Sequence, residues 1–276
     1  MGWAAAAART DAFVVDHPQA PERSEHDPGN GRTARQRLAA SRVLIVGVGG
    51  LGAPATLRLA AAGVGTIGLV DGDTVDVSNL HRQVIYRRTD IQRPKVVAAA
   101  NRLVALYPAV AARRFGERLS CDNFADILRD FDFVIDATDG IASKYLVNDA
   151  AVLCHKPFSH AGVLAFHGQT MTVIPGRTAC VRCLFPTPPN ADEIPSCQEA
   201  GVLGPVAGSI GILQATEALK YLLGVGNLLT DRLLTYDALT VRWRTISLAR
   251  RLECPLCGEQ PTIRSPLPVR EDPGEG

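Results

Sequence analysis

No charge of either sign dominates this chain. Its 29 Lys and Arg face 28 Asp and Glu, a formal net charge of +1, so no general field draws it to nucleic acid, an anionic membrane or a cationic substrate. Any anion site has to be local. Long apolar runs are missing too: nothing approaches the roughly eighteen apolar residues of a membrane span. The alanine-rich opening Met1–Phe13 has no basic segment ahead of an apolar core, so it does not read as a secretory leader. These absences predict a cytoplasmic protein with neither a membrane nor a nucleic-acid partner. No internal repeat recurs at a fixed period, which sets aside repeat architectures. Seven cysteines among 276 residues make a poor disulfide framework. Four of them form two C-x-x-C pairs, which in a reducing compartment favours a metal.

With 46% hydrophobic and 21% charged residues, there is ample material for a buried interior. The length fits one large α/β unit as readily as two domains, and one core is the simpler reading. Residues 1–31 are rich in Pro, Asp, Glu, His and Gly without periodicity, and read as an arm that orders only against another surface. Residues 261–276 form a Pro- and charge-rich tail. Between them, the pattern predicts a short helix from about Arg32 to Ala40 and a strand at Arg42–Val46, a β-branched run of the kind buried on both faces of a parallel sheet. A helix over Leu51–Ala62, a strand at Thr66–Val70, an amphipathic helix over Asp90–Tyr107 and a buried strand over Phe131–Asp136 follow. This alternation predicts a Rossmann-like, doubly wound parallel sheet. The stretches Pro157–Pro175 and Leu233–Ser247, on either side of a helix at about Val206–Leu223, read as antiparallel strands that extend it.

Gly47-Val48-Gly49-Gly50-Leu51-Gly52 stands between a predicted strand and a predicted helix. There glycines let backbone N–H groups approach a phosphate at the positive helix end. Asp71 ends the next strand, where an acid takes ribose hydroxyls. A nucleotide is the natural ligand; on these features alone NAD, or a scaffold that kept the fold, stays open. The loop Asp71–Gln83 then packs acids, Asn79 and Arg82 together, with Lys95 following Pro94.

The run D-x-D-x-V-x-x-S-N-L-x-R-Q, with Pro94-Lys95 and the later Asp136-Ala137-Thr138-Asp139, resembles the adenylating core of the MoeB/ThiF family and the ubiquitin-activating enzymes. Physics agrees with that chemistry: bringing a carboxylate to the α-phosphate of ATP requires fixed cations and a metal to neutralise like charges. The resemblance implies a single ATP-binding adenylation domain over 32–260. Its nucleotide set is Gly47, Gly49, Gly50, Leu51, Gly52, Asp71, Asp73 and Asn79, with Arg82 on the triphosphate and Lys95 on the phosphates near the reacting centre. Asp139 matches the family's magnesium-binding aspartate, with a cap on the next helix as the lesser alternative. Asp136 would hold the turn, while Lys144 and Asn148 support the site or face solvent. The family's R-Y-x-R-Q stretch is replaced by Ala20-Pro21-Glu22-Arg23-Ser24, so only Arg23 carries over, as a finger reaching the partner subunit's triphosphate in a homodimer.

Cys180-Val181-Arg182-Cys183 and Cys254-Pro255-Leu256-Cys257 can close a four-cysteine tetrahedron, a knuckle around a structural zinc. A redox dithiol is the alternative, and the family resemblance agrees with zinc. Cys197, in a Pro-, Asn-, Asp- and Glu-rich loop, is similar to the cysteine that ThiF-like members use in sulfur transfer, with a bystander role equally open. Cys121 and Cys154 read as packing residues. The resemblance implies activation, as an acyl adenylate, of the C-terminal glycine carboxylate of a ubiquitin-fold sulfur carrier ending in Gly-Gly. A separate persulfide donor would supply the sulfur, in molybdopterin, thiamine or related metabolism. Adenylation of a peptide or of a tRNA nucleoside carboxylate is the neighbouring alternative.

Overall fold

The computed structural model of the chain describes residues 30–189 and 201–266. Arg23 and Cys197 lie outside the described residues. Helix α1 (Asn30–Ala40) leads into β1 (Arg42–Val46), α2 (Gly52–Ala61) and β2 (Thr66–Val70). After two 3-10 turns come α3 (Lys95–Leu106), β3 (Ala111–Phe115), α4 (Phe124–Leu128), β4 (Phe133–Asp136) and α5 (Ile141–Leu153). The rest is β5 (Phe158–Leu164), β6 (His167–Val173), α6 (Val181–Leu184), α7 (Gly204–Leu223), β7 (Arg232–Asp237) and β8 (Arg242–Ser247). The strands form one sheet in the order β3-β2-β1-β4-β5-β6-β7-β8. Pairing is parallel from β3 across to β5 and antiparallel from β5 to β8. This is the expected doubly wound sheet with an antiparallel extension.

Successive residues of β1 point to opposite faces, and each face has its own core. Val43 and Ile45 pack with Leu59 of α2, Leu103 of α3 and Ile210 of α7. Leu44 and Val46 pack with Leu128 of α4 and with Leu146 and Val147 of α5. Among the described residues no helix is long and apolar enough to cross a membrane.

Helices α4 and α6 are additions to the sequence reading, and α3 and β3 differ from it for a physical reason. The helix expected over Asp90–Tyr107 starts only at Lys95. Residues Arg88–Asp90 form a 3-10 turn, Gln92 has φ of 69°, and Pro94 stands at the cap, so the chain turns before proline admits a helix. Strand β3 carries no signal, because Ala111-Ala112-Arg113-Arg114-Phe115 forms the sheet edge and none of it is fully buried. Its parallel register with β2 creates it.

Helix α5 is joined to the cysteine segment by buried charge. Arg182 grips Asp149 with two bonds of 2.7 Å, donates to the Pro186 carbonyl at 3.0 Å and lies 4.8 Å above the Tyr145 ring. The Tyr145 hydroxyl has one proton to share between the carbonyl oxygens of Phe185 and Thr187, 3.0 and 2.9 Å away, and the Asn148 side chain accepts from Val181 N–H. Asn148 is therefore a buried structural group. Removing one partner strands the other charge away from water, so Asp149→Ala should lose about 3–5 kcal/mol of unfolding free energy, and Asp149→Leu with Arg182→Met should recover most of it. Denaturant unfolding measures both. Wild-type stability in the single variant would show that water reaches the guanidinium.

Candidate active site

The carboxyl ends of β1, β2 and β4 converge on the glycine loop. At Gly47, with φ of +89°, a Cβ would stand 2.7 Å from the Ala137 carbonyl oxygen; at Gly52 it would stand 2.0 Å from the Gly47 carbonyl oxygen. Only glycine closes this turn, and the closure brings the N-terminus of α2 to the sheet edge. Gly49 and Gly50 are partly exposed along the same turn, and Leu51, at the cap of α2, is buried in the core.

Asp71 holds the loop in place. Its carboxylate accepts from Val48 N–H at 2.8 Å and from Asp73 N–H at 3.0 Å. Burial pushes its carboxyl up, against the pull of Lys95 and the two N–H groups. Lys95, at the start of α3 and almost buried, reaches Asp73 at 2.8 Å and Asp71 at 3.8 Å. Asp73 lies below the usual carboxylate range: burial, the largest influence, raises it, but Lys95 and then Arg118 more than offset this.

Arg82 sits beside the loop, its Cγ 3.7 Å from where a Cβ on Gly50 would be, and donates to the Ser78 carbonyl at 3.2 Å. Asn79 bonds the Ser78 hydroxyl through Nδ2, and its carbonyl accepts from Arg82 N–H. The N-terminus of α7 closes the other side: a Cβ on Gly204 would lie 3.1 Å from the His81 carbonyl oxygen.

The turn after β4 rests on a buried network. Asp136 accepts from Thr138 Oγ1 at 2.7 Å and lies 2.7 Å from His160 Nδ1, with Lys144 Nζ 3.8 Å away. Lys144 also donates to the carbonyls of Thr138 and Ala161, and Gln214 to those of Asp136 and Ser159. Burial raises the Asp136 carboxyl, but Lys144, then His160 and Thr138, bring it below the usual range. Lys144 thus supports the turn. Asp139, at its tip, is exposed and has no hydrogen bond or ion pair among the described residues. Gly140, not Asp139, occupies the cap position of α5, without a side-chain cap. The carboxylate is left open to solvent.

The four cysteines form a second centre. All four Sγ atoms lie within 4.8 Å of one another, the closest pair being Cys183 and Cys257 at 3.4 Å. Tetrahedral zinc, with Zn–S of about 2.3 Å, sets sulfurs about 3.8 Å apart. The four are buried, in the core that α5 shares. Cys121 and Cys154 are partly buried against that core, as expected of packing residues.

The arrangement brings together the glycine loop, Asp71, Asp73, Asn79, Arg82, Lys95 and the Asp139 turn, and keeps the cysteines apart as a unit of their own. His160, Gln214, Tyr86 and Arg118 are missing from the sequence reading. His160 faces Asp136 only through the β4–β5 register, and Tyr86 donates to the Val48 carbonyl across 38 residues; neither has a local signal.

A doubly wound sheet with a glycine loop, fixed cations and an open carboxylate at one edge defines a nucleotide-binding α/β protein. Residues 26–256 match the ThiF family, and the chain belongs to it. It is 46% identical over 242 residues to the sulfur carrier protein adenylyltransferase of Thermus thermophilus, covering 86% of this chain and 89% of that one. Identity is 44% over 237 residues with the adenylyltransferase and sulfurtransferase MOCS3 of Bos taurus. The match spans 86% of this chain but only 52% of that relative's length. Among solved structures, E. coli MccB with AMPCPP and MccA is similar in fold, with TM-score 0.73, 21% identity, and 83% of this chain and 70% of that one covered.

His160→Ala should lower the unfolding free energy by about 3 kcal/mol, because it removes a partner of a fully buried carboxylate. Asp136 contributes stability that is present above the ordinary carboxylate pKa of about 4 and lost as pH falls through its lower folded value. Losing His160 raises that folded value, so acid unfolding should begin at higher pH in the variant. Circular dichroism during acid and urea titrations checks both; curves superimposed on wild type would show that Lys144 and Thr138 suffice.

Proposed function

We propose that this chain is an ATP-dependent adenylyltransferase that activates the C-terminal glycine carboxylate of a ubiquitin-fold sulfur-carrier protein ending in Gly-Gly. One observation carries the reading: Arg82, Lys95 and the open carboxylate of Asp139 surround a glycine loop, in a chain 46% identical to a sulfur carrier protein adenylyltransferase. A carrier carboxylate oxygen forms a bond to the α-phosphorus of ATP. The bond from that phosphorus to its bridging oxygen breaks, pyrophosphate leaves, and an acyl adenylate remains.

The loop's backbone N–H groups from Gly49 onward and the N-terminus of α2 receive phosphate, while the N–H groups of Gly47 and Val48 stay bonded to the Val70 carbonyl and the Asp71 carboxylate. Arg82 holds the triphosphate and the charge that leaves with pyrophosphate, Lys95 neutralises the α-phosphate, and Asn79, Asp71 and Asp73 orient the nucleotide. Magnesium, when bound, offsets phosphate charge, and the solvent-open Asp139 fits a cation that takes one or two carboxylates and keeps several waters. Zinc suits the four converging thiols as a closed structural centre.

Arg23 and Cys197 complete the proposal from outside the described residues. Arg23 of one chain serves the triphosphate site of its partner in a homodimer, and Cys197 acts in thiocarboxylate formation with sulfur from a separate persulfide donor. The proposed setting is cytoplasmic sulfur metabolism, of molybdopterin, thiamine or a related product. Residues 32–260 act as one adenylation domain between an arm and a tail.

Carrier-dependent ATP–pyrophosphate exchange is the direct test. Asp139→Ala should reduce exchange on the order of a hundredfold with the fold intact; exchange within a few-fold of wild type would remove Asp139 from the site. Elemental analysis of the purified protein should find one zinc per chain, and chelation should lower the unfolding temperature, since structural zinc contributes folding energy. A folded protein without metal, with four freely titrating thiols, would refute the zinc centre.

A further inference from the structure

Asp73 lies between two cations. Its Oδ2 accepts from Lys95 Nζ at 2.8 Å, and its Oδ1 accepts from Arg118 at 3.3 Å. Lys95 is held at the rim of the glycine loop, 3.8 Å from Asp71, and its ammonium is almost fully covered. Any phosphate that uses this ammonium competes with the carboxylate already bonded to it.

Arg118 belongs to a built loop at the carboxyl end of β3. Asn123 donates to the Arg118 carbonyl at 2.9 Å and to Glu117 at 3.0 Å, and accepts from Ser120 N–H at 2.8 Å. The Arg118 stem lies across Gly72, where a Cβ would meet its Cγ at 3.0 Å. The guanidinium is thus set on the Asp-x-Asp loop, on the side of Asp73 away from Lys95.

We propose that Asp73 is an internal counter-ion for Lys95 while the phosphate site is empty, and that Arg118 is the positioning residue that keeps Asp73 when a triphosphate claims Lys95. The inference rests on the nucleotide reading above and adds a residue to it. Without Arg118, a carboxylate displaced from Lys95 would stand beside the incoming polyanion with its charge uncompensated, and would hold the ammonium more tightly. With Arg118 in place the exchange conserves ion pairs: one Lys95–carboxylate bond is replaced by Lys95–phosphate, and the Asp73–Arg118 bond persists. Asp73 is about half exposed, so it has room to turn. The Asp73 N–H bond to Asp71 and the Lys95 N–H bond to the Asp73 carbonyl belong to the backbone, so an uncharged side chain at 73 leaves the loop braced.

The test is a double-mutant cycle on ATP binding, read by calorimetry with ATP and magnesium chloride. Arg118→Ala should weaken ATP about fivefold, the upper range for a half-exposed ion pair, with the unfolding temperature unchanged. Arg118→Lys should restore part of the loss. In the Asp73→Asn background Arg118→Ala should have no effect beyond about twofold, since there is no charge left to hold. An equal loss in both backgrounds would overturn the inference by showing that Arg118 acts on the nucleotide itself. Unchanged affinity in Arg118→Ala would overturn it too. A wild-type chain that binds no ATP would instead overturn the nucleotide reading, and this inference with it.

Discussion

The hydrogen bond from Val48 N–H to the Asp71 carboxylate is the contact on which the sheet edge depends. It ties the glycine loop after β1 to the acidic loop at the end of β2 at 2.8 Å. Asp73 N–H shares the same carboxylate, and Lys95 stands within reach of both acids. A loop assembled this way is held by backbone amides and one nearly buried carboxylate, without any ligand. Burial beneath the loop raises the Asp71 carboxyl, outweighing the pull of Lys95 and of the two N–H groups.

A second organisation runs along α5. Its first residues follow the Asp139 turn, and further along the same helix Tyr145, Asn148 and Asp149 grasp the cysteine segment. Buried ions of this kind contribute little net stability, but they penalise alternatives steeply. Helix α5 thus links the Asp139 turn to the thiol cluster. Register adds a further effect. Because Asp136 pairs with His160, β5 runs on past the end of β4, and β6 to β8 continue the sheet on its far side.

Much of this was legible in the chain. Arg42–Val46 reads as a strand because its β-branched run has no polar face, and Gly47–Gly52 reads as a phosphate turn because no other residue permits that approach. The C-x-x-C pairs announce through ligand type and spacing that their four sulfurs converge. Less legible were places where local preference is overruled: the helix after Asp90 yields to Pro94 and the turn at Gln92, and β3, with two arginines at an edge, exists only because β2 offers it a parallel register.

Local chemistry by itself determined the strand–loop–helix order and the kinship of the Asp71–Gln83 motif, since each depends on residues within about twenty positions of one another. Tertiary structure alone decided which groups share a charge. His160 reaches Asp136 across 24 residues, Arg118 reaches Asp73 across 45, and Arg182 reaches Asp149 across 33. The reason is physical: strand register sets Asp136 against His160, and the packing of helices and loops around the sheet sets the other two pairs, while strand sequences encode burial rather than the identity of the neighbour.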